Sequence, residues 1–240
     1  MNEPDVSIVI ACYNEAGHLK QSVSEVRAVM DQTRYRYELI FVDDCSQDGT
    51  RDIIRDIASS DPARVKVRFH ETNLGRGATV SDGIRLSEAQ YVGFLDIDLE
   101  VHARYIPTMI LALQNGYDVA TAYRIYRVTP RKLVRHVTSY GYRYLSRAVL
   151  GHRLLDTETG YKFFNRARIL PTLAETRDRG WFWDTEIMVY AWRNGLKIQE
   201  IPCLFAHRFD KKSTISLHKD IRDYLVNLYR FNKRLRHGSI

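Results

Sequence analysis

The stretch Tyr91-Val92-Gly93-Phe94-Leu95-Asp96-Ile97-Asp98-Leu99-Glu100 decides the fold. Its first five residues form an apolar run, and three acidic side chains then follow at alternate positions. An apolar run of this length between polar segments indicates a buried parallel strand. In open α/β sheets, ligands bind just outside the carboxyl ends of such strands. We therefore expect Asp96 and Asp98 to meet a ligand, with Glu100 in the loop that follows.

These three carboxylates have the chemistry of a metal site. Hard oxygen ligands suit Mg²⁺ or Mn²⁺, and phosphate oxygens of a bound nucleotide can complete the octahedral shell. An Asp-x-Asp tripeptide is also common in solvated loops. The interpretation as a metal site therefore depends on its position at a strand end. The sequence thus predicts that Asp96, Asp98 and Glu100 hold Mg²⁺ or Mn²⁺.

Strand-like apolar runs alternate with helical stretches in the first half of the chain. The predicted strands are 6–11, 37–42, 65–69, 91–95 and 118–123. Strands that alternate with helices of about ten to fifteen residues indicate βαβ units and a parallel sheet with right-handed crossovers. Helices are predicted between them, including one at 105–115.

The pattern changes after residue 123. Helices are predicted at 130–150, 166–176, 183–194 and 216–234, with an extended segment at 156–165 and a short strand at 197–205. Pro202 within that last strand predicts a sheet edge. With 240 residues and 45% hydrophobic content, the chain is expected to form one α/β domain. It would combine a nucleotide-binding half, 1–124, with an acceptor-binding half, 125–240, that forms the other wall of the binding site.

Two common nucleotide-binding motifs are missing from the sequence. No Gly-x-Gly-x-x-Gly follows the first strand, and no Gly-Lys-Ser/Thr loop is present. This excludes the usual dinucleotide oxidoreductases and P-loop NTPases. Acidic residues instead end the second and fourth predicted strands, where Asp43 could accept a hydrogen bond from a base or a ribose. Asp48 is interpreted as a turn and cap residue.

The net charge of +7 is unevenly spread. Residues 124–153 contribute +8 without any acidic residue, residues 207–240 contribute +6, and the remainder carries −7. Such a basic second half favours an anionic partner, which could be nucleic acid, a membrane surface or a phosphorylated substrate. No nucleic-acid recognition motif is present, so we expect no nucleic-acid partner.

The cysteines indicate the redox compartment. Cys12, Cys45 and Cys203 are widely spaced and lack metal-ligand spacing, which predicts reduced thiols and a cytoplasmic location. No run approaches the ~20 apolar residues of a membrane span.

Six short motifs follow one another along residues 6–214. They are Ser7-Ile8-Val9-Ile10 with Tyr13-Asn14-Glu15, Val42-Asp43-Asp44-x-Ser46-x-Asp48-Gly49-Thr50, Asn73-x-Gly75-x-Gly77-Ala78, Asp96-x-Asp98-x-Glu100, Asp156-x-x-Thr159-Gly160-Tyr161-Lys162 and Glu200-x-Pro202. In this order, with Arg124, Arg208 and Ser213, they resemble family 2 of the nucleotide-sugar glycosyltransferases. Within it the chain looks most like the dolichyl- and polyprenyl-phosphate sugar synthases.

The resemblance implies a fold, a reaction and a set of roles. The fold is the Rossmann-like nucleotide-sugar transferase fold, and the reaction is an inverting, metal-dependent transfer from a GDP- or UDP-linked sugar to a polyprenyl or dolichyl phosphate. The residues implied to bind the donor nucleotide are Ala11, Tyr13, Glu15, Asp43, Asp96, Asp98, Arg124 and Arg208. Asp96, Asp98 and Arg124 are also implied to act in catalysis, since a metal and guanidinium groups neutralise the leaving diphosphate.

The chain departs from the family pattern at three positions. Ala11 stands where the family has proline, and Thr159 replaces a serine while keeping the hydroxyl. Thr214 replaces a basic residue, for which Lys211 or Lys212 could substitute.

The acceptor is predicted to meet the helix at 130–150. Arg135 and Ser139 are four residues apart and share a face of this helix. The resemblance implies that they meet the lipid phosphate. The same helix carries an apolar stripe beside basic residues, which fits either a membrane interface or packing against the sheet. We expect peripheral association with an anionic membrane surface.

The segment 181–186, Trp-Phe-Trp-Asp-Thr-Glu, could line the donor sugar or belong to the core. A phosphate acceptor needs no general base, because its second pKa is about 6. A hydroxyl acceptor on a glycan or metabolite, the alternative, would need one, and Asp184 is then the candidate catalytic base.

Overall fold

The computed structural model describes residues 3–126, 133–206 and 217–237, and for 133–140 and 217–220 it describes the backbone alone. The described strands are Val6–Cys12 (β1), Tyr37–Asp43 (β2), Val65–Phe69 (β3), Tyr91–Leu95 (β4), Val119–Tyr126 (β5), Tyr161–Asn165 (β6) and Ile198–Phe205 (β7). The described α-helices are Leu19–Met30 (α1), Thr50–Ser60 (α2), Arg76–Leu86 (α3), Ile106–Gln114 (α4), Leu133–Leu150 (α5), Arg166–Glu175 (α6), Trp183–Arg193 (α7) and Leu217–His237 (α8).

All of these strands join one mostly parallel sheet in the order β3-β2-β1-β4-β6-β5-β7. Strand β1 pairs in parallel with β2 and β4, and β5 pairs in parallel with β7. Strand β6 lies between β4 and β5 and is antiparallel to both. The predicted α/β class and single domain are confirmed, and β7 lies at the sheet edge as Pro202 predicted.

Apolar side chains cover both faces of the sheet. Helix α1 places Leu19, Val23, Val26 and Met30 on one buried stripe, because a spacing of three or four residues returns to the same helix face. Helices α3, α6 and α7 cover the opposite face. Each fully buried aliphatic side chain contributes roughly 1.5–3 kcal/mol. Within the described ranges, no helix combines the length and the apolar character that crossing a membrane requires.

Several element ends differ from those predicted. Strand β5 continues to Tyr126, since its pairing with β7 extends from Val119 to Tyr126 although Arg124 interrupts the apolar run. The segment predicted to be extended at 156–165 is a strand only from Tyr161. The predicted helix at 105–115 is a turn of 3₁₀ helix, Ala103–Tyr105, followed by α4. The predicted starts of α5 and α8, at 130 and 216, lie outside the described residues.

The reversed direction of β6 brings a second loop to the carboxyl end of β4. In the register of this pair, Leu95 lies opposite Tyr161, so the residues before β6 adjoin those after β4. The backbone N–H of Asp96 donates to the carbonyl of Gly160 at 2.9 Å. The motif that follows β4 and the motif that precedes β6 therefore lie side by side and form one wall at the carboxyl end of β4.

A buried ion cluster fastens α5 to this wall. Asp156 is fully buried and accepts from Arg124 Nε at 2.8 Å, from Arg124 Nη2 at 2.9 Å and from Arg143 Nη2 at 2.5 Å. Burial alone would raise the pKa of Asp156, but the two guanidinium groups outweigh it and hold that pKa below its usual range. Glu200 on β7 completes the cluster by accepting from the Asp156 N–H at 2.9 Å.

Glu158 lies at the rim of this cluster, with Oε2 3.7 Å from Arg124 Nη2. Burial raises the pKa of Glu158 to about 7; Arg124 opposes this shift and the charge of Asp156 adds to it. A carboxyl with a raised folded-state pKa binds more protons in the folded than in the unfolded protein. Its contribution to the free energy of unfolding therefore falls as pH rises from about 4.5 to about 7.

We predict that Glu158→Gln changes the pH dependence of stability, because it removes this titration. The free energy of unfolding of the variant should rise relative to that of the unmodified protein between pH 4.5 and 7 and stay level above pH 7. Urea denaturation of the unliganded protein at a series of pH values measures it. The control is Glu88→Gln, at a surface carboxyl whose pKa is lowered by Lys66. The difference in free energy of unfolding between this variant and the unmodified protein should stay level above pH 5. A level difference for Glu158→Gln would contradict the prediction.

Candidate functional site

The loops after β1, β2 and β4 meet at one edge of the sheet. Each contains a non-glycine residue in the left-handed region: Asn14 (φ 57°), Cys45 (φ 66°) and Leu99 (φ 53°). Such residues cost of order 1–3 kcal/mol each and persist where the surroundings hold them. The surroundings do so here: the Asn14 N–H donates to Ser46 Oγ at 2.9 Å, and Asn14 Oδ1 accepts from the Gln47 N–H at 2.8 Å.

The residues predicted to hold the base and ribose lie at the ends of β1 and β2. In the register, Ala11 lies opposite Val42 and Cys12 opposite Asp43, and Tyr13, 49% exposed, and Glu15 follow. Asp48, predicted to be a turn and cap residue, accepts from the Thr50 N–H at 2.9 Å. The structure thus brings Ala11, Tyr13, Glu15 and Asp43 to one place.

Asp43 has one carboxylate oxygen without a partner in the described structure. Its Oδ2 accepts from Arg51 Nε at 2.6 Å and from the Ser46 N–H at 3.1 Å. Its Oδ1 is buried and makes no hydrogen bond. A buried oxygen left unpaired costs free energy, roughly 1–3 kcal/mol. This oxygen can accept a hydrogen bond from a bound ligand.

The acidic turn after β4 does not form a ready-made cluster of three carboxylates. The Leu99 N–H donates to the Asp96 carbonyl at 3.0 Å, and the Glu100 N–H donates to Asp98 Oδ1 at 3.2 Å. In the part of the chain that is described, no three His, Cys, Asp or Glu side chains are grouped so that they could hold a metal ion. The metal-ligand roles of Asp96, Asp98 and Glu100 stay predictions.

Asp96 is instead bound to Arg76, the first residue of α3. Its Oδ1 accepts from Arg76 Nη2 at 2.6 Å and from Nε at 3.0 Å. Arg76 Nη1 forms an ion pair with Asp184 Oδ2, and Lys162 Nζ binds Asp184 Oδ1 at 2.6 Å. Both oxygens of Asp184 are therefore paired.

Two of these four charges are deeply buried, while the side chains of Arg76 and Asp96 are 11% and 41% exposed. The side chains of Lys162 and Asp184 are 0% and 2% exposed. Burial lowers the pKa of Lys162, and Asp184 opposes this shift. Burial alone would lower the pKa of Arg76, but Asp184 and Asp96 raise it above its usual value. The group keeps Asp184 fixed and surrounded by cations.

Sequence reasoning missed the role of Arg76 and of Lys162. Arg76 belonged to a turn motif and was assigned no function. The sequence did contain one indication, namely a cation at the predicted start of a helix. Such a cation interacts unfavourably with the helix dipole, so an acidic partner elsewhere in the chain is expected. Lys162 was quoted in a motif, but its buried pairing with a residue 22 positions later had no local signal.

His70, to which the sequence assigned no role, fixes the loop that precedes Arg76. Its Nδ1 lies 2.9 Å from Asp44 Oδ1, and its Nε2 lies 3.1 Å from Asp82 Oδ2. Asp44 in turn accepts from the N–H groups of Leu74 and Gly75 at 2.7 and 2.8 Å. This chain of contacts sets the direction in which α3 begins.

The three aromatic residues before Asp184 have separate environments. Phe182 and Trp183 are 5% and 0% exposed and belong to the core, while Trp181 is 75% exposed. The Trp181 ring lies over the guanidinium of Arg76, with 4.9 Å between the ring centroid and Cζ. Of the two interpretations of this segment, core packing therefore applies to Phe182 and Trp183.

The predicted phosphate-binding arginines are only partly described. Arg124 directs its guanidinium to Asp156 and is 17% exposed. Arg208 lies outside the described residues. Arg135 and Ser139 lie one turn apart on α5, where the backbone alone is described.

Comparison with known proteins identifies the family. Residues 7–171 match the family described as Glycosyl transferase family 2. The chain is 29% identical over 222 residues to glycosyltransferase AglD of Haloferax volcanii, a match that covers 90% of this chain and 35% of AglD. It is 26% identical over 261 residues to dolichyl-phosphate beta-glucosyltransferase of Saccharomyces cerevisiae, covering 95% of this chain and 78% of the yeast protein.

A third relative is the undecaprenyl-phosphate 4-deoxy-4-formamido-L-arabinose transferase of Aeromonas hydrophila. It is 33% identical over 159 residues, which cover 59% of this chain and 49% of that protein. The chain thus spans about a third of AglD and about half of the Aeromonas transferase.

A solved structure shares the fold. Glucosyl-3-phosphoglycerate synthase from Mycobacterium tuberculosis, in complex with Mn²⁺, UDP and glucosyl-3-phosphoglycerate, superposes with a TM-score of 0.71 at 21% identity. The superposition covers 96% of this chain and 80% of the synthase. The same synthase has been solved with Mg²⁺ and UDP. The family match covers more than half of the chain, and the chain therefore belongs to glycosyl transferase family 2.

Proposed function

We propose that the protein transfers a sugar from a UDP- or GDP-linked donor to a polyprenyl phosphate, with inversion at the anomeric carbon. The observation that carries the choice of acceptor is the pairing of Asp184. This residue is the candidate base for a hydroxyl acceptor, yet both of its carboxylate oxygens are bound to Arg76 and Lys162. A base must come within hydrogen-bond reach of the proton it removes, whereas the Asp184 side chain is 2% exposed and both of its oxygens already face cations. A phosphate acceptor avoids this need.

The names of two relatives support a polyprenyl-phosphate acceptor. The yeast relative is a dolichyl-phosphate beta-glucosyltransferase, and the Aeromonas relative is an undecaprenyl-phosphate transferase. A phosphate monoester near neutral pH is already mostly ionised, because its second pKa is about 6. Its oxygen would attack the anomeric carbon while the bond from that carbon to the diphosphate oxygen breaks.

The donor would lie along the carboxyl ends of β2, β1 and β4. The unpaired Oδ1 of Asp43 would accept a hydrogen bond from the base or ribose. Neither the base nor the sugar follows from this contact, since an acid accepts from either guanine or uracil. Arg124 and Arg208 would contribute positive charge near the diphosphate, although Arg124 also holds Asp156.

A divalent metal, Mg²⁺ or Mn²⁺, fits the residues after β4. Asp96 and Asp98 provide hard oxygen atoms at a strand end, which is the ligand type that either ion prefers. Asp96 and Asp98 would hold it, with Glu100 as a further contact. Bound there, the ion would supply charge neutralisation for the leaving diphosphate.

The acceptor would approach α5. Arg135 and Ser139 lie one turn apart on its backbone, so they share a face that can present a cation and a hydroxyl to a phosphate. The basic segment 124–153 contains no acidic residue, and Asp156 outside it pairs with Arg124 and Arg143. The charge of this segment would hold the protein at an anionic membrane surface, where a polyprenyl phosphate resides.

We predict sugar transfer that depends on a divalent metal. Incubation with a panel of radiolabelled UDP- and GDP-sugars, a short polyprenyl phosphate and Mn²⁺ or Mg²⁺ should yield labelled lipid on organic extraction. Asp98→Ala should lower turnover by at least ~10²-fold, the scale of losing one electrostatic stabiliser. Labelled water-soluble product without labelled lipid would contradict the assignment of a polyprenyl-phosphate acceptor. Full activity in excess EDTA would contradict the dependence on a divalent metal.

We predict that the carboxylate of Asp184 is not the catalytic base. Asp184→Asn alone should destabilise the fold, because it leaves Lys162 buried without its partner. The charge-balanced variant Asp184→Asn/Lys162→Gln is therefore the test, and its turnover at saturating substrates should stay within about tenfold of the unmodified enzyme. Loss of a base would cost ~10²–10⁴-fold.

A matched pair of arginine variants accompanies that test. Arg135→Ala should raise the KM for the polyprenyl phosphate and leave the KM for the donor unchanged, since it removes a charge-assisted contact to phosphate alone. Arg55→Ala on α2, whose side chain is 60% exposed, should change neither value. A collapse of turnover in the charge-balanced variant, with Arg135→Ala silent, would favour the hydroxyl acceptor.

We predict peripheral binding to anionic membranes. Each basic residue near such a surface contributes about 1 kcal/mol, and salt screens this attraction. The protein should float with phosphatidylglycerol-containing vesicles at low salt, stay unbound with phosphatidylcholine vesicles, and be released at high salt. Absence from the anionic vesicles at low salt would refute membrane association.

A further inference from the structure

Trp181 is a large apolar side chain that the fold leaves open to solvent. It is 75% exposed, although the next two residues, Phe182 and Trp183, are buried. A single exposed apolar residue is ordinary in a folded protein. Trp181 differs from such residues in how firmly its loop is held and in what lies beneath its ring.

The loop that carries Trp181 is fastened on both sides. Glu186 Oε2 on α7 accepts from the N–H groups of Arg177 and Asp178 at 2.9 and 2.6 Å. The carbonyl of Arg179 accepts from the Ala78 N–H on α3 at 3.2 Å. A Cβ at Gly75 would collide with that carbonyl, so glycine permits the close approach. A ligand that meets Trp181 therefore pays little conformational entropy.

The indole lies directly beside the buried charges of the site. The guanidinium of Arg76 lies over two rings, with Cζ 4.9 Å from the Trp181 centroid and 5.5 Å from the Phe94 centroid. The same guanidinium binds Asp96 and Asp184. Only one side chain thus separates the exposed indole from both carboxylates.

The order of the strands shows which part of a donor would reach this indole. Asp43 ends β2, and Asp96 follows β4, with β1 between them. Adjacent strands are about 4.8 Å apart, so the two carboxylates are about two spacings apart along the edge. A nucleotide with its base at Asp43 directs its diphosphate toward β4. The group attached to the last phosphate then lies beyond β4, beside β6 and the start of α7.

We propose that the exposed face of Trp181 is the stacking surface for the hexose of the nucleotide-sugar donor. This inference rests on the proposed function and names the contact that would select the transferred group. A pyranose ring has a face of C–H groups that packs on the apolar face of an aromatic ring. Its rim of hydroxyl groups would extend past the indole toward Asp96, whose side chain is 41% exposed.

Fluorescence quenching tests the contact without any turnover. Of the three tryptophans, Trp183 is buried and Trp192 is partly buried against the core, so iodide should quench mainly Trp181. In the presence of Mn²⁺, UDP-glucose and GDP-mannose are compared with UDP and GDP. The nucleotide sugar that binds should protect Trp181 from iodide, and the matching nucleotide should not. Trp181→Phe should abolish the protected signal.

Kinetics provide the second test. Trp181→Ala should raise the donor KM about tenfold, which corresponds to the loss of one aromatic stacking contact. The inhibition constant of the nucleoside diphosphate should stay unchanged, because it has no hexose. Trp181→Phe, which keeps an aromatic face, should stay within about threefold. Tyr229→Ala on α8, a 69% exposed aromatic residue, is the control and should change no constant.

Two further outcomes would overturn this inference, and a third would overturn only the proposed function. Equal weakening of nucleotide and nucleotide-sugar binding by Trp181→Ala would mean that the ring acts only by covering Arg76. A change in the KM for polyprenyl phosphate alone would place the acceptor at Trp181. Protection by UDP-glucose or GDP-mannose in a protein that transfers no sugar to lipid would refute the proposed function and leave the stacking contact standing.

Discussion

The guanidinium of Arg76 joins two carboxylates that lie far apart in the sequence. Asp96 follows β4, and Asp184 belongs to the first turn of α7, 108 residues after Arg76. Breaking a buried ion pair by removing one partner costs several kcal/mol, since the remaining charge is left without compensation. Within the group of Arg76, Asp96, Lys162 and Asp184, each charge therefore depends on its partners for stability. The four charges sum to zero, and of the four side chains that of Asp96, 41% exposed, lies toward solvent.

Much of the surrounding structure serves to keep that guanidinium in place. His70 holds Asp44, Asp44 holds the backbone N–H groups of Leu74 and Gly75, and α3 begins with Arg76 directly after them. The rings of Phe94 and Trp181 both lie against it. The arrangement fixes Arg76, and through it Asp96, at the carboxyl end of β4. A site prepared in this way loses little free energy to reorganisation when charge develops on a leaving group.

The sequence predicted those parts of the site that depend on local patterns. Apolar runs followed by acids located Asp43 and Asp96 at strand ends, and the alternation of strands and helices predicted the mostly parallel sheet. Arg76, Lys162 and His70 escaped prediction because their partners are distant in the sequence and no periodicity records such a pairing.

The antiparallel strand escaped prediction for a related reason. A strand of five residues such as β6 has the same apolar pattern in either direction, and only its neighbours decide which way it runs. The extent of β5 depended on β7, which follows more than seventy residues later. Pairing with β7 outweighed the polar residue Arg124 that marked an end in the sequence.

The position of β6 in the sheet also constrains how the chain can fold and be divided. Strand β4 has β1 on one side and β6 on the other, and β5 pairs only with strands that follow it in the sequence. A chain cut near residue 124 would leave one edge of β4 exposed and β5 without either neighbour. Open, unprotected edges of this kind invite pairing with other chains. During synthesis, one edge of β4 therefore stays without its partner until β6 emerges, and the nascent chain carries an open strand edge for that interval.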